Sequence, residues 1–358
     1  MRFKVWLGLV LFALIASLPS ARGGFSSMFV FGDGTCATTN NQFAGPYYYG
    51  LRRSNGRVWV EVLAQWQGIP FDSNKNWSYF GHDSTNLVAN ATAFTPPPDV
   101  ATTLFVIWCI NADLVWLSNW GGTDMPTWTN ALNQALRNHY RAVTNLYAKG
   151  ARTLLMPNAA DVTITPFYSY YPDAWRVFAR QRIVELNQKF AQMLAELTNA
   201  CPGLRIYMPD FFWVGDHILT NAAAFGLTNV LDENGKRIDA LADSRLKDKS
   251  LNGPGANYIF WDMYHPTART HMVLAEYAQR LLSPLRFGQI STANWSNRIE
   301  LVNLPVGRGG FIDASPDLQT WSPLEVLIPT NTTQTVLLPQ TGAAAFYRLR
   351  FPFNWTWP

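Results

Sequence analysis

Met28-Phe29-Val30-Phe31-Gly32-Asp33-Gly34-Thr35-Cys36 is the stretch on which the fold reading turns. Four consecutive apolar residues without polar alternation read as a strand buried on both faces, and this strand runs straight into a carboxylate flanked by glycines. Working outward, Leu104–Trp108 repeats the apolar pattern and ends in Cys109-Ile110-Asn111-Ala112-Asp113. Segments 151–156, 204–208 and 258–261 read as further strands. Between them the spacing predicts helices over 58–66, 127–148, 173–200 and 267–282, with Asp173 as a cap, Gly150 as a C-cap glycine and Pro202-Gly203 as a breaker. Strands apolar on both faces and separated by long helices imply a parallel sheet covered on both sides. No internal repeat interrupts the pattern.

The 358-residue chain is 48% hydrophobic, 14% aromatic and 15% charged, which excludes a disordered polymer. Three Cys in a chain this long cannot be a disulfide framework. The formal charge of +4 suggests a polyanion partner until the N-terminus is read. Arg2 and Lys4 precede an apolar run from Val5 to Ala16, followed by small residues and Ala21-Arg22-Gly23. That is the layout of a secretory signal peptide over residues 1–23, the other reading being an uncleaved anchor. The run is short for a membrane span, which takes about 20 residues. Cleavage would remove Arg2, Lys4 and Arg22 and no acid, leaving 25 basic against 24 acidic residues, a net +1. No basic run remains, so nucleic acid is not an expected partner. The mature chain has no transmembrane segment, and the expected location is secreted, periplasmic or cell-surface.

Residues 24–285 carry the α/β pattern. After Pro284 short strand-like runs at 298–304, 311–314, 324–328, 335–338 and 345–351, divided by Gly, Pro, Asn and Thr, predict a β-sandwich-like module over 286–358. Its Trp295, Trp321, Trp355 and Trp357 are expected to pack the module's core in preference to stacking on sugars.

Open parallel sheets place their sites at the C-terminal ends of strands. Three such ends carry chemistry: Asp33 to Cys36, Asn111 to Asp113, and Asp262-Met263-Tyr264-His265-Pro266-Thr267. A carboxylate three residues before a His that precedes a helix can accept the imidazole Nδ1–H and orient the ring, which is two-thirds of a hydrolase triad. No Cys/His/Asp spacing matches a zinc, calcium or phosphate-loop site, so no cofactor and no metal are implied.

In this order the blocks resemble the SGNH/GDSL esterase-lipase family. Phe29-Val30-Phe31-Gly32-Asp33 is similar to its first block, and Asn55-Gly56-Arg57-Val58-Trp59-Val60-Glu61 to the segment that follows. Asn76-Trp77-Ser78-Tyr79-Phe80-Gly81 resembles the second block, and Phe105-Val106-Ile107-Trp108 with Asn111 and Asp113 the third. Segments 150–152, 157–158 and 165–166, and Asp262/His265-Pro266-Thr267, complete the likeness over residues 28 to about 285. The resemblance implies a flavodoxin-like three-layer α/β fold with strand order 2-1-3-4-5, and hydrolysis of carboxylic esters of lipids or acylated carbohydrates. It implies that Asp262 orients His265, that His265 is the base, and that Gly81 and Asn111 stabilise an oxyanion. Asp33, His82 and Asp113 are further pocket candidates. The C-terminal module lies outside the likeness.

The departures are specific. Gly34 stands where the family has its nucleophilic Ser, and glycine has no Oγ. Phe80 replaces the first of two usual glycines, and the family's oxyanion Asn is either absent or shifted back one residue to Asn111. Four readings of Gly34 remain open: a ligand-binding protein without turnover, Thr35 or Cys36 as substitute nucleophile, direct activation of water by His265, or an altered form of an ordinary esterase. Cys36 and Cys109 end neighbouring strands of the family's sheet, and either form a disulfide or stay two buried thiols. His139, His217 and His271 are expected in surface or packing roles. Tyr47–Tyr49 with Trp116, Trp120 and Trp128 is expected to rim the pocket. The expected ligand is a small-molecule ester or a glycan.

Overall fold

In the computed structural model, which describes residues 24–42, 44–293, 296–339 and 346–356, β1 (Met28–Gly32) lies parallel to β2 (Leu104–Trp108) along its whole length. The register runs from Met28 opposite Leu104 to Gly32 opposite Trp108. With β3 (Thr153–Leu155) and β4 (Arg205–Tyr207) the sheet has the order β1-β2-β3-β4, all parallel. On the free side of β1, Trp77 N donates to Val30 O at 2.8 Å and Tyr79 N to Gly32 O at 3.3 Å, around a parallel bridge between Val30 and Asn76. The expected 2-1-3-4-5 arrangement is therefore present, with the position beside β1 reduced to one bridge. The expected signal peptide over residues 1–23 lies outside the described residues, as do Trp295 and Trp357. No helix among the described residues is long and apolar enough to cross a membrane.

The helices are α1 (Trp59–Trp66), α2 (Ser84–Ala93), α3 (Ile110–Trp120), α4 (Met125–Ala148), the single turn α5 (Pro166–Ser169), α6 (Asp173–Ala200), α7 (Phe211–Thr220) and α8 (Ala268–Leu282). α1, α7 and α8 pack together, and α2, α3, α4 and α6 form a second group. The sheet between them buries every residue of β1, β2 and β3, which is why these strands read as continuous apolar runs. Asp124 caps α4 by accepting from Thr127 N at 2.9 Å, and Gly150 leaves that helix at φ 103°.

Three expectations need correction. Asp173 is the first residue of α6 and Pro172 holds the cap position. Segment 258–261 is not a strand of the sheet: Phe260 bridges back to Pro266, Trp261 N donates to His265 O, and the carbonyls of Phe260 and Trp261 accept from Ala240 and Leu241. The turn at 262–265 consumes the backbone groups that a sheet edge would have used. Helices α2, α3 and α7 were not anticipated. The first two lack a clear apolar stripe, so their periodicity is silent.

The C-terminal strands form two antiparallel sheets, β5-β6-β9 from β5 (Arg286–Ala293), β6 (Ser296–Val302) and β9 (Thr333–Pro339), and β10-β7-β8 from β7 (Gly310–Ser315), β8 (Ser322–Leu327) and β10 (Phe346–Arg350). Ile299, Leu301, Val336 and Leu338 of one sheet share a core with Ile312 and Leu327 of the other. Strand β5 was not anticipated either. Trp321 and Trp355 stay outside this core and carry Arg348 and Arg269 over their rings, each 4.4 Å from the centroid.

Arg308 ties this region to the α/β part. Its buried guanidinium donates to Glu276 Oε2 of α8 and to the carbonyls of Phe351 and Pro352, all at 3.0 Å, and lies over Trp66 of α1. Removing one partner of a buried pair strands the other charge. Arg308→Ala is expected to lower unfolding stability by about 3 kcal/mol in urea titrations; a loss below about 0.5 kcal/mol would show the tie to be dispensable.

Candidate active site

The site begins with the turn that ends β1. Asp33 N still donates to Trp108 O, and Cys36 N closes the turn on Asp33 O. A Cβ on Gly32 would lie 2.5 Å from Cys36 Cβ, so only glycine lets the chain reverse this tightly. Asp33 is buried within the turn. Its Oδ1 accepts from Thr35 N at 2.8 Å and Thr35 Oγ1 at 2.5 Å, and its Oδ2 accepts from Asn111 Nδ2 at 3.1 Å. Burial pushes its carboxyl up from the ordinary value, and these donors only partly offset that.

The 262–265 turn supplies the second half. Asp262 accepts from Tyr264 N, His265 N and His265 Nδ1, with the last at 2.8 Å to Oδ1 and 3.0 Å to Oδ2. Tyr48 O–H donates to Asp262 Oδ2 at 3.1 Å. Burial works to raise this carboxyl, but facing His265 and the donors prevail and hold it below its ordinary value. Beyond it Thr267 caps α8, its hydroxyl donating to Tyr258 O at 2.7 Å. Asn55 Oδ1 accepts from Ala268 N at 2.8 Å, so the Asn55-Gly56 segment clamps the start of the helix that follows His265.

Gly34 and His265 face each other. A Cβ built on Gly34 would lie 2.6 Å from His265 Nε2, 3.2 Å from Phe80 and 3.3 Å from Arg53 Cδ. The space where a side chain would begin is thus taken up by the imidazole, itself 4% exposed. Gly81 has φ 82°, a conformation that needs glycine, and open space in front of its Cα. The N–H groups of Gly34 and Gly81 make no hydrogen bond among the described residues. Asn111 lines the same cavity, its Oδ1 fixed by Ala160 N at 2.9 Å and one of its two Nδ2 hydrogens spent on Asp33. An oriented imidazole beside unpaired amides can take a proton and stabilise a developing oxyanion.

Several candidate residues do something else. Cys36 and Cys109 are free buried thiols, so no bridge joins them. Cys36 Sγ accepts from Trp59 Nε1 at 3.3 Å, and Cys109 Sγ lies 3.6 Å from His139 Nε2. Burial pushes both thiols well up, which denies Cys36 the thiolate a nucleophile needs. The Thr35 hydroxyl is committed to Asp33. His82 is buried behind the cavity wall, its Nδ1 on Gly32 O at 2.8 Å and its Nε2 3.0 Å from Asn90 Nδ2. Asp113 also lies outside the cavity and accepts from Ser84 N and Ser84 Oγ, tying α3 to the start of α2. His139 and His271 are buried packing residues, whereas His217 stacks on Trp213. Of the expected rim, Trp116 lines the cavity and stands exposed with Trp120, but Trp128 is core.

The cavity measures about 410 Å³. Beyond Gly34, Gly81 and His265 it is walled by Trp108, Phe211, Ile218 and Leu274. Sequence reasoning missed this depth, and also Tyr48 and Arg53. The tyrosine cluster was visible, but Tyr48 meets Asp262 across 214 positions of chain, which no local signal encodes. Among the described residues no group of three His, Cys, Asp or Glu is arranged to hold a metal ion.

A family profile described as GDSL-like lipase/acylhydrolase matches residues 28–278. The thermolabile hemolysin of Vibrio parahaemolyticus is 22% identical over 231 residues, 62% of this chain and 54% of that protein. A GDSL esterase/lipase of Arabidopsis thaliana is 28% identical over 160 residues, 41% of this chain and 40% of that protein. The chain therefore spans about half or less of these relatives' length. Among solved structures, a lipase from a goat rumen metagenome matches at 12% identity and TM-score 0.40, over 72% of this chain and 97% of that one. An acetylxylan esterase from Geobacillus stearothermophilus matches at 14% identity and TM-score 0.39, over 72% and 94%.

The placement of Asp113 has a pH consequence. Burial raises its carboxyl from 3.8 to about 7, so the folded protein keeps a proton that the unfolded chain releases near its ordinary value. Stability contributed by this group is full below pH 4 and falls as pH rises towards 7, by an amount on the order of 4 kcal/mol. Asp239, raised to about 6, adds a slope of the same sign. Asp113→Asn is expected to flatten part of the decline in denaturation midpoints between pH 4 and 7. An unchanged slope would mean that this carboxylate is ionised when folded.

Proposed function

Because the chain belongs to the GDSL-like lipase/acylhydrolase family, we propose that it is an exported hydrolase of carboxylic esters that works, slowly, without a covalent acyl-enzyme. The observation that carries this reading is the encounter of His265 Nε2 with the side-chain position of Gly34 at 2.6 Å, while Asp262 holds Nδ1 from behind. With no Oγ between them, His265 takes its proton from a water, and that water attacks the ester carbonyl. Asp262 stabilises the imidazolium that forms. The oxyanion falls to the Gly34 and Gly81 amides and Asn111 Nδ2, and His265 returns the proton to the leaving alkoxide. A site of this kind keeps the oxyanion and binding contributions, on the order of 10³-fold over water, and forgoes the rest.

Export rests on the layout of residues 1–23, and the ester-binding part on residues 24–285. Residues 286–358 form an appended β module in this reading. A second reading, a ligand-binding protein without turnover, is favoured by the same contact, since the imidazole fills the vacated position. Restoring a serine is not a free repair. A Cβ at 2.6 Å forces His265 back by roughly 1 Å to reach ordinary contact distance.

Short-chain aryl esters assayed with the wild type, Gly34→Ser and His265→Ala decide between the readings. Slow turnover by the wild type, abolished in His265→Ala and raised at least about tenfold in Gly34→Ser, is the expected pattern. Turnover that survives His265→Ala sinks the water mechanism. Silence from all three proteins leaves the binding role.

A further inference from the structure

A second cavity, of about 240 Å³, lies where α1 and α8 meet the C-terminal strands. Helix α8 separates it from the candidate active site. Ala268 and Met272 line this cavity, whereas Thr270 and Leu274, on the opposite face of the helix, line the other. Two guanidiniums, Arg57 and Arg308, line it with Gln65, Asn354 and Thr356, and among the described residues no carboxylate does.

The protein by itself leaves these arginines incompletely satisfied. Arg57 makes no ion pair among the described residues, and its one hydrogen bond runs from Nη1 to Gln65 Oε1 at 2.5 Å. Glu61, the acid on α1, is taken by Arg52. Arg308 Nη2 donates to Glu276, but that carboxylate is shared with Arg280. The Nε atoms of Arg57 and Arg308 are buried and have no hydrogen-bond partner among the described residues. Burial lowers the Arg308 guanidinium from its ordinary value, Glu276 offsets part of that, and Arg280 deepens it. Arg269 stands over the ring of Trp355 in the cavity wall and donates to Gly226 O, not to an acid. Positive charge at this seam therefore exceeds the single carboxylate that answers it, which favours an anion.

The backbone supports the same occupant. Gly307 has φ 77°, a conformation that favours glycine, and a Cβ there would lie 2.5 Å from Gln65 Nε2, displacing the side chain on which Arg57 rests. A Cβ on Gly309 would meet nothing within 4 Å, and its N–H makes no hydrogen bond among the described residues. Ala268 is the first residue of α8, so the positive end of that helix also borders the cavity.

We propose that this cavity is an oxyanion site, which takes one phosphate or sulfate ion between Arg57 and Arg308. Guanidinium groups suit such ions because their planar fork donates to two oxygens at once. The Gly309 N–H and the exposed Asn354 and Thr356 side chains supply further donors, and the volume leaves room for a few waters. The bound ion answers the charge of Arg308 and joins α1 to the C-terminal strands. The site is separate from His265 and independent of the hydrolytic reading.

The test is calorimetric titration of the full chain with sodium phosphate, sulfate and chloride at matched ionic strength, with thermal melts in the same salts. One saturable site for phosphate or sulfate, and none for chloride, is the expected result. Arg57→Gln is expected to weaken that binding at least about tenfold. Arg57→Lys, which keeps the charge but not the fork, is expected to fall between. Arg298→Gln, on β6 and outside the cavity lining, is expected to bind as the wild type does. Melts in chloride report whether each variant is folded, and if the glutamine variant is not, the lysine variant decides. Both oxyanions also stabilise folded proteins by exclusion from their surface. A rise in melting temperature that is equal in wild type and Arg57→Gln is that general effect and overturns the site. Absence of a saturable oxyanion site, chloride bound as tightly as phosphate, or Arg57 variants that bind like the wild type overturn it too. The aryl-ester assay can fail without touching any of these outcomes.

Discussion

Everything at the site depends on the way β1 is held. Its backbone is paired on one side by β2 over five residues and on the other by the 76–79 segment, so that its end is fixed from both flanks. The strand is wholly buried, and the hydrogen bonds of a buried backbone are costly to leave unmade. The turn at Gly32 inherits that rigidity. Gly34 is placed by β1, Gly81 by the segment on its free side, and Asn111 by the helix that follows β2. Three donors thereby line one cavity without any of them being adjacent in sequence.

The imidazole is fixed by a different device. Asp262 and His265 sit in a turn whose backbone closes on itself, and whose exit is clamped by Thr267 and by Asn55. The turn pulls segment 258–261 out of the sheet, so the His reaches the cavity from a loop instead of a strand end. It is nonetheless rigid, because the Asp262 oxygens collect four donor groups in a buried setting. An imidazole held this firmly in the space where a Gly34 side chain would begin is what distinguishes this site from a collection of family residues.

Burial decides the roles of the remaining titratable groups. Asp113, Cys36, Cys109 and His82 share sequence blocks with the residues that line the cavity, yet each is turned into the packing. There desolvation disfavours its charged form. Proximity in sequence brought them into the list of candidates. Side-chain direction at the end of a strand, or one step round a helix, removed them.

Much was legible in the chain itself. β2 is a continuous apolar run and occupies the expected residues, because a strand buried on both faces writes its burial into every position. The long helices α4 and α6 followed from spacing and end signals, and Asp262 with His265 from a three-residue interval that a turn can close. The absence of an Oγ at Gly34 needs no coordinates at all. What only the tertiary structure decided are contacts between distant segments: Tyr48 on Asp262, Asn55 on the start of α8, Arg308 between α8 and the C-terminal strands, and two cysteines left as free thiols, Cys36 on Trp59 and Cys109 beside His139. The encounter of Gly34 with His265 belongs there too. Sequence records local periodicity and chemistry, whereas the direction in which a side chain points across 200 residues is set by packing, and packing is a property of the whole core.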